Sequence, residues 1–114
     1  MNHNQCKEMI RNLTPFKSST GSLYGVKFDD RYVVYSYGTH FPIAVHCDNH
    51  WYINTDRRSA TTSKHQAVLR QALCDSATLQ IRLPMEIVDL IAEHGYTAVA
   101  KARVTGKIRG AFNV

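Results

Sequence analysis

At 114 residues, with 44% apolar content and a net charge of +5, the chain is long enough for one hydrophobic core and too short for two. That composition argues against disorder, and no apolar run approaches the ~20 residues that a membrane span needs. The cysteines Cys6, Cys47 and Cys74 form an odd, widely spaced set, which points to reduced thiols and not to a disulfide scaffold. The opening residues MNHNQCKEMIRN lack the apolar stretch of a secretory signal. The expectation is a soluble cytoplasmic protein with no membrane association and a single domain over residues 1–114.

Residues 4–12 suit a short helix, with Cys6, Met9, Ile10 and Leu13 near one face, limited by Pro15. The run KSSTGS at 17–22 reads as a loop of turn formers. Leu23 to Phe28 is a first strand, and Asp29-Asp30 supplies a tight turn. Arg31 to Tyr37 carries Tyr32 and Val34 on one side and Val33, Tyr35 and Tyr37 on the other. A strand apolar on both sides suits a central position. Gly38-Thr39-His40 interrupts the pattern as a bulge or turn. Phe41 to His46 resumes it, with Phe41, Ile43 and Val45 facing together and Pro42 at the strand's start. A turn over 47–50 then leads into a strand from Trp51 to Asn54.

Beyond a polar loop over 55–62, Ser63 and Gln66 fit a capping box that opens a helix running to about Leu73. A second helix opens at Pro84, presents Ile87, Val88, Leu90 and Ile91, and stops at Gly95. The tail from Tyr96 has two readings. As a strand, Ala98, Ala100, Ala102 and Val104 face inward, with Lys101 and Arg103 outward; this is the favoured one. As a helix, it makes Gly95 the turn of a helix-turn-helix. The fold class expected is α+β: a small antiparallel β-meander of three to five strands packed with two or three short helices.

Charge is unevenly placed. Residues 1–56 hold five basic and five acidic side chains, whereas residues 57–114 hold nine basic against four acidic. A one-sided basic field favours anionic partners, nucleic acid above all. Basic side chains in the second half and aromatics on the sheet therefore make the candidate binding set: Arg57, Arg58, Lys64, Lys101, Arg103, Lys107 and Arg109, with Tyr24 and Tyr52 as stacking rings. His40, His46, Cys47 and His50 lie close together, but their spacing matches no zinc knuckle, so no metal site is expected. Ser36, Thr39, His40, Ser59, Thr61, Thr62, Ser63 and His65 supply hydroxyls and imidazoles for a nucleophile and base. No G-x-S-x-G elbow accompanies them, and local backbone hydrogen bonding is the simpler role. No phosphate-binding glycine loop is present either, and no cofactor is expected.

The segments NLTPFKSSTGSLYG (12–25), YVVYSYGTHFPIAV (32–45), WYIN-x-D (51–56) and S-x-TTSKHQ (59–66) resemble a small uncharacterised domain common in bacteriophages and mobile elements. The resemblance covers 12–66 and departs at Arg58, where that domain usually carries an aromatic. It implies a phage accessory protein and carries no catalytic residues with it. The functional expectation is a non-enzymatic protein that binds a host nucleic acid or nucleoprotein complex, in the manner of a host-defence (anti-CRISPR type) inhibitor. The alternatives are a small enzyme using a Ser/Thr/His or metal site, and a structural or homo-oligomerising phage component.

Overall fold

A computed structural model describes residues 3–19, 21–36, 41–56, 60–74 and 80–106. In chain order these form helix α1 (His3–Arg11), strands β1 (Phe16–Lys17), β2 (Leu23–Lys27), β3 (Arg31–Ser36), β4 (Pro42–Cys47) and β5 (His50–Asn54), and helix α2 (Ala60–Leu73). Strand β6 (Gln80–Leu83) and helices α3 (Met85–His94) and α4 (Tyr96–Val104) follow. The fold is α+β. Its six strands lie in sequence order in one sheet, each antiparallel to the last except β6, which runs parallel to β5. Such a reversal needs a crossover, and α2 supplies it.

The meander follows from alternation and turn chemistry. Asp48 and Asn49 join β4 to β5 with φ of 54° and 63°, the paired positive φ that a two-residue type I′ hairpin turn requires. Strands β3 to β5 are buried along nearly their whole length because both sheet faces are covered. On one face Tyr32, Val34, Ile43, Trp51 and Ile53 pack with Cys6 and Ile10 of α1 and with Val68, Leu69, Ala72 and Leu73 of α2. On the other, Val33, Tyr35, Val45, Tyr52 and Ile81 pack with Ile87, Val88 and Ile91 of α3 and with Val99 and Ala102 of α4.

Several expectations need correction. Two strands were not anticipated, β1 where the hydroxyl-rich run begins and β6 after α2, so the sheet exceeds three to five strands and the described helices number four. Ile43 and Val45 do not share a face. The register slips beside Val34 and Tyr35, and Ile43 and Ala44 both join the α1–α2 core while Val45 joins the other. A β-bulge inserts one residue and so reverses the alternation that follows. The bulge expected at residues 38–40 lies outside the described residues. Helix α2 begins three residues before Ser63, which therefore sits in its first turn and not at its cap. Leu90 is exposed on α3. The described part of the tail is a helix over Tyr96–Val104: Gly95, at φ 62°, turns α3 directly into α4.

Candidate nucleic-acid interface

The sheet's end near residues 36, 41 and 54 is where the two longest motifs meet. Ser36 closes β3, His65 lies on the inner face of α2, and Ser36 Oγ and His65 Nδ1 are hydrogen-bonded at 2.6 Å with both side chains buried. The pair is a nucleophile–base contact between two of the candidates the sequence offered. An exposed hydroxyl is what attack on a substrate needs, and Ser36 is 0% exposed. Its contact works as a clasp between β3 and α2. Next to it, Asn54 donates through Nδ2 to the Pro42 carbonyl at 2.9 Å and accepts from the Asp56 N–H at 2.8 Å. Gln66 donates through Nε2 to the carbonyls of Asn54 and Asp56. These bonds fix the ends of β4 and β5 to α2 without a free buried amide hydrogen on Gln66.

Beside this cluster an open cleft of about 220 Å³ runs between α2 and the β5–β6 pair, lined by Ile53, Asn54, Thr55, Gln66, Arg70, Gln80 and Arg82. Arg70 follows Gln66 by one helical turn and so emerges on the same side of α2. Strand β6 alternates, so that Ile81 and Leu83 are buried while Gln80 and Arg82 are exposed. Among the described residues the lining contains two guanidinium groups and no carboxylate. Asp56, one residue beyond Thr55, has its carboxylate on the Met85 N–H at the start of α3.

The five candidate residues that are described do not gather into one patch. Lys64 is exposed on α2 and Lys101 on α4, which cover opposite faces of the sheet. Arg57, Arg58, Lys107 and Arg109 lie outside the described residues. Arg103 is not a free cation: its Nη2 is paired with the Asp48 carboxylate of the β4–β5 turn. Tyr24 is half-buried and stacks on Tyr35, with ring centroids 5.3 Å apart. Tyr52 is a correction, being 0% exposed. Burial raises its hydroxyl pKa well above the ordinary tyrosine value, and Arg103 lies beside it. A ring enclosed by the core on both sides cannot receive a stacked base. Two further arginines are structural: Arg11 caps the end of α2 at the Ala72 carbonyl (2.9 Å), and Arg31 caps α3 at Ala92 (2.6 Å) and Glu93 (3.0 Å). Arg70 and Arg82 were missed, since nothing in their spacing links them before the β5–α2–β6 crossover is known.

Among the described residues, no group of three or more His, Cys, Asp or Glu side chains gathers as for a metal ion. His46 packs edge-on to Trp51 at 5.2 Å, and burial, helped by the charges of His50 and Lys27, lowers its pKa. Cys47 is buried on the opposite face and its thiol is pushed up to about 11, chiefly by burial. No described helix is long and apolar enough to cross a membrane.

Residues 11–81, more than half of the chain, match the model of a family described as a family of unknown function, DUF8033. The match spans β1 to β5, α2 and the first residues of β6, and so includes both the Ser36–His65 clasp and Arg70. No curated protein and no solved structure matches the chain.

Proposed function

We propose that this chain, which belongs to the family of unknown function DUF8033, is a non-enzymatic binding protein for nucleic acid or a nucleoprotein complex. The observation that carries the reading is the cleft lined by both Arg70 and Arg82, with no carboxylate among the described residues of its lining. Two like charges held together favour an anion between them, and guanidinium groups suit phosphate through paired N–H donors. The closed burial of Ser36 and His65 supports binding over hydrolytic chemistry. The setting proposed is the cytoplasm of a host cell, with the protein acting as a phage accessory factor against a host nucleoprotein machine.

Fluorescence anisotropy with a labelled single-stranded oligonucleotide across a salt series tests this. Each phosphate contact contributes a slope of about −0.7 in log affinity against log salt on single strands. The double variant Arg70→Gln/Arg82→Gln is expected to flatten the slope by about 0.7 if the two arginines share one phosphate and by about 1.4 if each contacts its own. Salt-independent binding to oligonucleotide, together with no nuclease-sensitive or nucleoprotein partner, would refute the reading.

A further inference from the structure

We infer that the α2–β5–β6 cleft is a site for a phosphate monoester, one per chain, gripped by Arg70 and Arg82. This inference deepens the nucleic-acid reading and rests on it only for the larger ligand that carries the phosphate.

The argument begins with which polar groups in the cleft are already engaged. Asn54 and Gln66 point their amide hydrogens to backbone carbonyls, Gln80 Nε2 donates to the Leu73 carbonyl at 2.9 Å, and Thr55 Oγ1 donates to Leu83 at 3.2 Å. These are fixed walls. Among the described residues, Arg70 and Arg82 form no ion pair and no hydrogen bond, although both are on a protein whose other arginines at 11, 31 and 103 are all engaged. The two guanidinium groups are thus the donors left for a ligand. They come from different elements, one from a helix and one from a strand, and the clasp and amide bonds hold those elements in place. The elements that carry the donors are thus fixed before the ligand arrives, and only the two exposed side chains are left to be ordered on binding.

Charge and size narrow the ligand. A phosphate monoester carries about −1.5 to −2 at pH 7, which matches two guanidinium charges, whereas an internal phosphodiester carries a single negative charge. A water takes about 30 Å³ of liquid volume, so a cleft of about 220 Å³ has room for a phosphate and the start of a sugar. The apolar part of the lining is Ile53, which offers a small surface for the carbon side of such a group. The monoester can come from a free nucleotide or from the phosphorylated end of a nucleic-acid strand.

Isothermal titration of the full chain distinguishes these. The probes are inorganic phosphate, a nucleoside monophosphate, and one oligonucleotide made with a 5′-phosphate and with a 5′-hydroxyl. The expected result is one site per chain for the phosphate-bearing probes. Binding should weaken at least tenfold in Arg70→Gln and again in Arg82→Gln, and stay unchanged in Lys101→Gln. Tighter binding of the phosphorylated oligonucleotide than of its hydroxyl form assigns the site to strand ends. A preference for the mononucleotide, with both oligonucleotides equal, assigns it to free nucleotide. Phosphate binding that depends on both arginines but without oligonucleotide binding keeps the site and removes the broader function. Oligonucleotide binding that is indifferent to the 5′-phosphate and to both substitutions, with no arginine-dependent binding of phosphate or mononucleotide, keeps the function and overturns the site. Absence of binding by every probe overturns both. Thermal melts of the two variants, expected to match the wild type, exclude misfolding as the cause of any loss.

Discussion

Replacing Gly95 by alanine is expected to destabilise the protein by roughly 2–4 kcal/mol. Gly95 has φ 62° and ψ −135° and is the only residue between α3 and α4. A side chain in that backbone region carries strain of about 1–3 kcal/mol. A Cβ there would also stand 2.8 Å from Asp30 Cγ and 2.9 Å from Oδ1. Asp30 is 45% exposed and can swing aside, but it then loses its hydrogen bond from the Tyr96 N–H at 3.2 Å, worth about 0.5–1.5 kcal/mol. At about 4–8 °C per kcal/mol for a domain near this size, the melting temperature should fall by about 8 °C or more. Differential scanning calorimetry of Gly95→Ala, Asp30→Ala and the double variant measures it. Because Gly95→Ala already displaces Asp30, Asp30→Ala should cost less in that background than alone. A fall under about 4 °C for Gly95→Ala, or full additivity of the two changes, would refute the reasoning.

Three other outcomes follow from the packing. Ser36→Ala removes the buried bond to His65 and should cost about 1–3 kcal/mol by urea titration, while leaving nucleic-acid binding at low salt intact. Ellman's reagent should label one cysteine in the folded protein, Cys74, since Cys6 and Cys47 are buried and their thiol pKa values are raised by burial; three should react in denaturant. For His46, the depressed folded pKa means that the unfolded chain binds a proton first as pH falls. Stability should therefore decline as pH drops below about 6.5 towards the folded value, and His46→Gln should flatten that decline in melts taken across the window.

How much of this was legible beforehand differs by element. Strands β2 to β5 were, because alternation, Asp29-Asp30 and the Asp48-Asn49 turn speak through local chemistry. So was the burial of Val33, Val34 and Tyr35, on a strand apolar on both sides. The two-residue β1 and the four-residue β6 were not, since neither is long enough to show a period. In α4, alanines at every second position resemble a strand face, yet the buried pair is Val99 and Ala102, three apart, as packing onto α3 demands. The misplaced site residues share one cause. Tyr52 on its strand and Arg103 in its tail each have an ordinary exposed reading locally, and each is decided by a distant partner: the α3–α4 layer for Tyr52, and Asp48, 55 residues away, for Arg103. The Arg70–Arg82 cleft is likewise a product of topology, visible only once α2 returns the chain to pair β6 beside β5.

The layer formed by α3 and α4 is one unbroken stretch of chain that follows β6 through a single residue, Pro84. Among its polar attachments are four to the turns and strand ends of the sheet: Asp30 to Tyr96, Arg31 to the end of α3, Asp48 to Arg103, and Asp56 to Met85. A unit bound in that way is built to leave as a unit. In native-state hydrogen exchange the amides of α3 and α4 should open together, at a lower free energy than those of β3 and β4, which are held by neighbouring strands on both sides. The half-open form would bare Val33, Tyr35, Val45 and Tyr52 as one continuous apolar surface, while the clasped α1–α2 side and its arginine cleft stay assembled.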